Sequence, residues 1–151
     1  KDIRSHIKFN TFGEDLPYFE NKIEIDGQQR DELGRPRLNI SFSYGDNEQR
    51  MRVAQITQLE GFASKLGLED YKFGKDIQAP GKNNHELGTA RMGSDPENSV
   101  LNAHNQVWGY DNLYVSDGSS FTTSGYQNPT LTILALTWRA CDHISEALKK
   151  G

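Results

Sequence analysis

The feature that most constrains the fold of this chain lies near its end. Residues 131–141 (LTILALTWRAC) open a segment that reads as one helix over residues 129–149. Wound into a helix, that run is apolar on nearly every side, and such a helix needs cover on more than one face. Asn128 stands at the N-cap position and Pro129 at the first helical position, where a fixed φ suits a helix start. Hydrophobic residues make up only 34% of the 151 residues, and the mean hydropathy is −0.76. The rest of the chain is therefore a poor source of cover, and the pattern implies a partner surface outside these residues.

The stretch before this helix has its own punctuation. Residues 112–116 (NLYVS) form a short apolar run that ends at the turn Asp117-Gly118-Ser119, and residues 104–108 can pair with it as a hairpin. His85 begins a polar, Gly-broken loop that continues to residue 99. Upstream, residues 5–12 alternate as a strand, with Ile7 and Phe9 on one face, and residues 13–17 read as a turn. Residues 21–26 alternate more cleanly, with Ile23 and Ile25 inward, and Asp26-Gly27 is a turn signal. After a further turn at residues 31–36, Leu38, Ile40, Phe42 and Tyr44 alternate with Asn39, Ser41 and Ser43. That polar face can bind hydroxyls, but a solvated sheet face explains it more simply. Asp46 with Gln49 suggests a capping box for a helix carrying Ile56, Leu59, Ala63 and Leu66, and Gly67 can close it. Residues 71–82 are an irregular linker. The expected class is α+β: an antiparallel sheet with a helix packed on it, followed by a βα segment.

Charge and composition exclude several functions. A net charge of −4, without a basic stripe, speaks against nucleic acid as a partner. No apolar run reaches the length of a membrane span. The single cysteine, Cys141, has no internal partner and reads as a small buried hydrophobe. The first six residues, KDIRSH, are neither an initiator nor a signal peptide, so the chain looks cut from something longer. A cytoplasmic location is the default expectation.

Three motifs stand in order in the last third: His85-x-x-Gly88-Thr89-x-Arg91-Met92-Gly93, then residues 113–119 (LYVSDGS), then Asn128-Pro129-Thr130-x-Thr132. Together they resemble the C-terminal signature of the glucose–methanol–choline (GMC) family of FAD-dependent alcohol oxidoreductases. The Asn-Pro-Thr version is most similar to its sugar-oxidising branch, that of pyranose oxidase and bacterial sugar dehydrogenases. Pro17-x-x-x-Asn21-Lys22-Ile23 and Asp31-x-x-Gly34-x-Pro36 resemble the family more weakly.

Oxidising an alcohol needs a base for the hydroxyl proton, a task suited to histidine, and a flavin or nicotinamide, because no side chain accepts a hydride. The resemblance implies FAD as cofactor, His85 as base and Asn128 as holder of the substrate oxygen, although capping competes for Asn128. It further implies that Asp117, Gly118, Asn128, Pro129 and Thr130 contact FAD, the last three from a positive helix end. The glycine-rich dinucleotide fingerprint is absent from all 151 residues. Residues 1–82 are then expected to belong to a substrate-binding region and residues 83–151 to complete an FAD-binding domain. The partners expected are an alcohol or sugar and a missing N-terminal FAD-binding part.

Other assignments compete. A binding module that kept the fold and lost the chemistry would also lack the fingerprint. Ser119 or Ser120 with His85 and Asp117 could be drawn as a hydrolase triad, but no G-x-S-x-G elbow is present. Residues 88–93 have phosphate-loop spacing without the lysine that must follow. His85, Glu86 and His104 lack the spacing of metal ligands, so no metal is expected.

Overall fold

The computed structural model describes residues 7–74 and 77–150. Two strands, β1 (Lys22–Arg30) and β2 (Pro36–Ser41), form an antiparallel ribbon, and two helices follow, α1 (Asp46–Lys65) and α2 (Thr130–Lys150). The small α+β framework matches the expectation, but its internal arrangement differs in several places.

Residues 7–12 belong to no strand or helix, so the expected first strand is absent among them, and residues 5 and 6 lie outside the described residues. Nor does Asp26-Gly27 turn the chain. There the Asp26 carboxylate accepts from the amides of Gln28 and Gln29, and an irregularity in the pairing carries β1 on to Arg30. The reversal falls instead at residues 31–35, where Asp31 accepts from the Arg35 amide and Gly34 has φ +77°. Ile23 and Ile25 were expected to face inward, yet Ile25 is 72% exposed and Ile40 on the paired strand 66%.

The ribbon lacks cover because α1 does not pack on it. Helix α1 is sheathed instead by the chain before β1. Phe9 meets Phe62 edge-on at 5.4 Å, Thr11 donates to Gln55, and the carboxylate of the fully buried Glu48 accepts from the Leu16 amide and the Tyr18 hydroxyl. Glu48 also accepts from the Gly45 amide, so the cap is Gly45 with Glu48 rather than Asp46 with Gln49. At the other end, Gly67 takes φ +62° and the Leu68 amide returns to the Ala63 carbonyl, closing the helix as expected.

The best-buried part of the molecule is a knot of loops over residues 87–121, against one side of α2. Leu101 is wholly buried there, beside Asn105, Ser120 and Phe121. The expected hairpin exists as a short bridge between Gln106 and Tyr114, with Asn105, in a left-handed conformation at φ +63°, donating its side-chain amide to the Val115 carbonyl. Helix α2 docks on this knot through Ala140, through Thr137 donating to the Ser116 carbonyl, and through His143 stacked on His104 at 4.1 Å. Its other faces stay open: Leu131, Leu134 and Trp138 are 78%, 60% and 73% exposed. Cys141 is exposed too, because the apolar run wraps the helix and its residue faces the uncovered side. Among the described residues, no helix is long and apolar enough to cross a membrane.

Candidate functional site

The three motifs converge on one place. The loop after His85 runs alongside the turn at Gly118–Ser120: the amides of Gly88, Ala90 and Met92 donate to the carbonyls of Gly118, Ser119 and Ser120 at 3.1, 2.9 and 3.0 Å. Gly88 takes φ +85°, and a Cβ there would lie 3.2 Å from the Phe121 carbonyl oxygen. Gly118 is buried because Leu87 from the His85 loop and Ile133 from α2 close over it, and a Cβ on it would lie 2.4 Å from Leu87. One glycine therefore joins the loop, the turn and the helix. That packing accounts for Gly118 without any ligand.

Next to this junction is an open cavity of about 350 Å³ lined by Met92, residues 121–125, Thr132 and Leu136. Both Met92 and Thr132 belong to the motifs, whereas residues 121–125 (FTTSG), which form most of the wall, carry no motif that a sequence pattern could flag. His85 and Asn128 stand outside its lining. A second hollow at the ribbon tip, lined by Arg30, Arg35 and Arg37, contains no residue of the three ordered motifs, only Asp31 of the weaker upstream one.

Several polar side chains around the junction are engaged, while the buried His104 Nδ1 and Asn105 Oδ1 have no partner among the described residues. Asp117 accepts from the amide and hydroxyl of Ser119, and these bonds hold its carboxyl below the ordinary range. Ser120 donates to the Asp117 carbonyl, and Asn102 and Gln106 tie down the adjoining turn. Ser119 and Ser120 both donate to Asp117 and neither bonds His85, so the drawn hydrolase triad is not assembled. His85 itself is half-buried, and Asn128 is exposed; among the described residues neither side chain makes a hydrogen bond.

The start of α2 explains why Asn128 is uncommitted. The helix begins at Thr130, one residue later than expected, and its first turn closes from the Ile133 amide to the Pro129 carbonyl. Pro129 is buried while Thr130 is exposed. Asn128 thus sits one step before the capping position, and the competition between capping and ligand binding does not arise.

Acidic groups gather on the His85 side. Asp15 is pushed above its ordinary range, first by desolvation and then by the carboxylates of Glu48, Glu86 and Glu14. The Tyr44 hydroxyl, which donates to the Gln78 carbonyl, is raised by desolvation and by Asp15 and Glu86. Among the described residues, no group of three or more potential metal-ligating side chains comes together.

Comparison with known proteins agrees with the convergence of motifs. The GMC oxidoreductase C-terminal family model matches residues 17–137. The 2-methyl-1,2-propanediol dehydrogenase of Mycolicibacterium austroafricanum is 39% identical over 142 residues, covering 93% of this chain and 25% of that protein. The fructose dehydrogenase large subunit of Gluconobacter japonicus is 30% identical, covering 90% of this chain and 24% of the relative. The gluconate 2-dehydrogenase flavoprotein of Pantoea cypripedii is 27% identical over 97% of this chain. The chain spans about a quarter of the length of these relatives. With the three motifs packed against one another and the family model extending from the ribbon into α2, this chain belongs to the GMC oxidoreductase family, whose C-terminal region it represents.

Proposed function

We propose that this chain supplies the proton-accepting and oxygen-holding half of a flavoprotein that oxidises a sugar or another polyhydroxylated alcohol. The observation that carries this reading is the packing of the His85 loop against the Gly118–Ser120 turn and the start of α2, with the side chains of His85 and Asn128 free of hydrogen bonds among the described residues. An imidazole nitrogen of His85 takes the substrate hydroxyl proton, and the Asn128 amide donates to the same oxygen and fixes its direction. Loss of that proton raises electron density on the oxygen and favours departure of hydrogen, with its electron pair, from the adjacent carbon.

The residues present fit one edge of FAD. The positive start of α2 carries an exposed Thr130 beside the uncommitted Asn128, and Asp117 is exposed with one carboxylate oxygen unused. When bound, FAD supplies the two-electron acceptor that no side chain can provide. In this reading Asp117, Gly118 and residues 128–130 would hold FAD, residues 83–151 would complete the cofactor domain, and residues 1–82 would face the substrate. The named substrates of the relatives, a propanediol, fructose and gluconate, carry neighbouring oxygens, which supports a polyhydroxylated substrate here.

The test is made on the intact flavoprotein. His85→Ala should slow anaerobic flavin reduction by an alcohol by roughly 10²–10⁴-fold, with flavin content unchanged. If reduction proceeds within about threefold of the wild-type rate, the role of His85 is refuted.

A further inference from the structure

We infer that Glu14 is a positioning residue that fixes the segment leading into Asn128, and so sets where Asn128 stands relative to the cavity wall. The inference rests on the oxidoreductase reading above and concerns a residue outside all three motifs.

Glu14 lies in the extended chain before β1, half-buried. Its Oε1 accepts from the Ser124 amide at 3.0 Å and from the Thr123 hydroxyl. These contacts join residues 110 and 109 positions apart, the widest separation of any hydrogen bond among the described residues. A carboxylate bond of this kind is stronger than one between neutral groups, so it can hold two chain regions that share few other ties. Thr123 and Ser124 form part of the cavity wall, and Gly125, at φ +61°, redirects the chain immediately afterwards toward Asn128. Without Glu14, nothing among the described hydrogen bonds anchors the Ser124 amide. The next residue, Asp15, is within electrostatic reach of Glu86, which adjoins His85.

A positioning role differs from a purely structural one in what it changes. Glu14→Ala and Glu14→Gln are compared with wild type in the intact flavoprotein, with 2-methyl-1,2-propanediol and D-fructose as substrates. Amide hydrogen exchange over residues 121–125 is followed in parallel. Glu14→Ala should speed exchange of the Ser124 amide at least tenfold and raise KM at least fivefold, with flavin content unchanged. Glu14→Gln keeps an acceptor oxygen at the same reach, so it should restore both to within about threefold of wild type. Unaltered Ser124 exchange in Glu14→Ala overturns the inference, as does faster exchange with unaltered KM. If wild type oxidises neither alcohol, the oxidoreductase reading loses support, and Ser124 exchange then decides the role of Glu14 separately.

Discussion

Glu48 shows how one buried charge can organise an element. Burial works to raise its carboxyl, but bonds from the Leu16 amide, the Asn47 side chain and the Tyr18 hydroxyl outweigh this and bring it from an ordinary 4.5 to about 2. A lowered pKa adds stability that is fully present above pH 4.5 and is lost as pH falls from 4.5 toward 2. Melting temperature followed across that window should fall more steeply in wild type than in Glu48→Gln. Truncation to Ala should cost about 1–3 kcal/mol, because the Leu16 and Gly45 amides, the Asn47 side chain and the Tyr18 hydroxyl lose one shared, part-buried acceptor. Gly88 is a second sensitive position. Its left-handed backbone and its closeness to the Phe121 carbonyl predict a loss of about 1–3 kcal/mol for Gly88→Ala, read by thermal unfolding of the intact flavoprotein.

At the scale of elements, α2 and the ribbon share a condition: each is formed by local bonds, and each keeps a large apolar face uncovered. In α2 the stripe Leu131, Leu134 and Trp138 follows the 3–4 spacing of a buried seam. If residues elsewhere in the intact flavoprotein cover it, Trp138→Glu should destabilise that protein by about 2–3 kcal/mol. The same change should leave the thermal stability of the isolated chain nearly as it was. Equal responses in the two contexts would show that the stripe stays solvated.

At the scale of the molecule, the area is decisive. The chain exposes 12347 Å², whereas a compact monomer of its 17.1 kDa would expose about 7700 Å². Its buried hydrophobic residues, among those described, are Ala63, Leu101, Phe121 and Ala140. So small a core suits a region whose relatives are about four times longer. The 151-residue chain alone should therefore retain no flavin after desalting, while the intact protein should show the visible flavin band; flavin held by the isolated chain would contradict the shared-site reading.

Local chemistry decided what could be read from residues alone. The apolar run of α2, the closing Gly67, the turn at residues 31–36, the presence of α1 and the three ordered motifs depend on near neighbours, and the structure or the family match agrees with each. Placement depended on contacts far apart in the chain. Sequence alternation promised a covered sheet at Ile23 and Ile25, but alternation cannot say which surface will cover it. Cys141 sat in an apolar run, yet a run that encircles a helix must leave some residues on the open side. Asn128 matched a capping pattern, and a one-residue shift in the helix start released it. The bond between Glu14 and Ser124 was invisible for the same reason: no pattern along the chain encodes a pairing 110 residues apart, which exists only once the loops have packed.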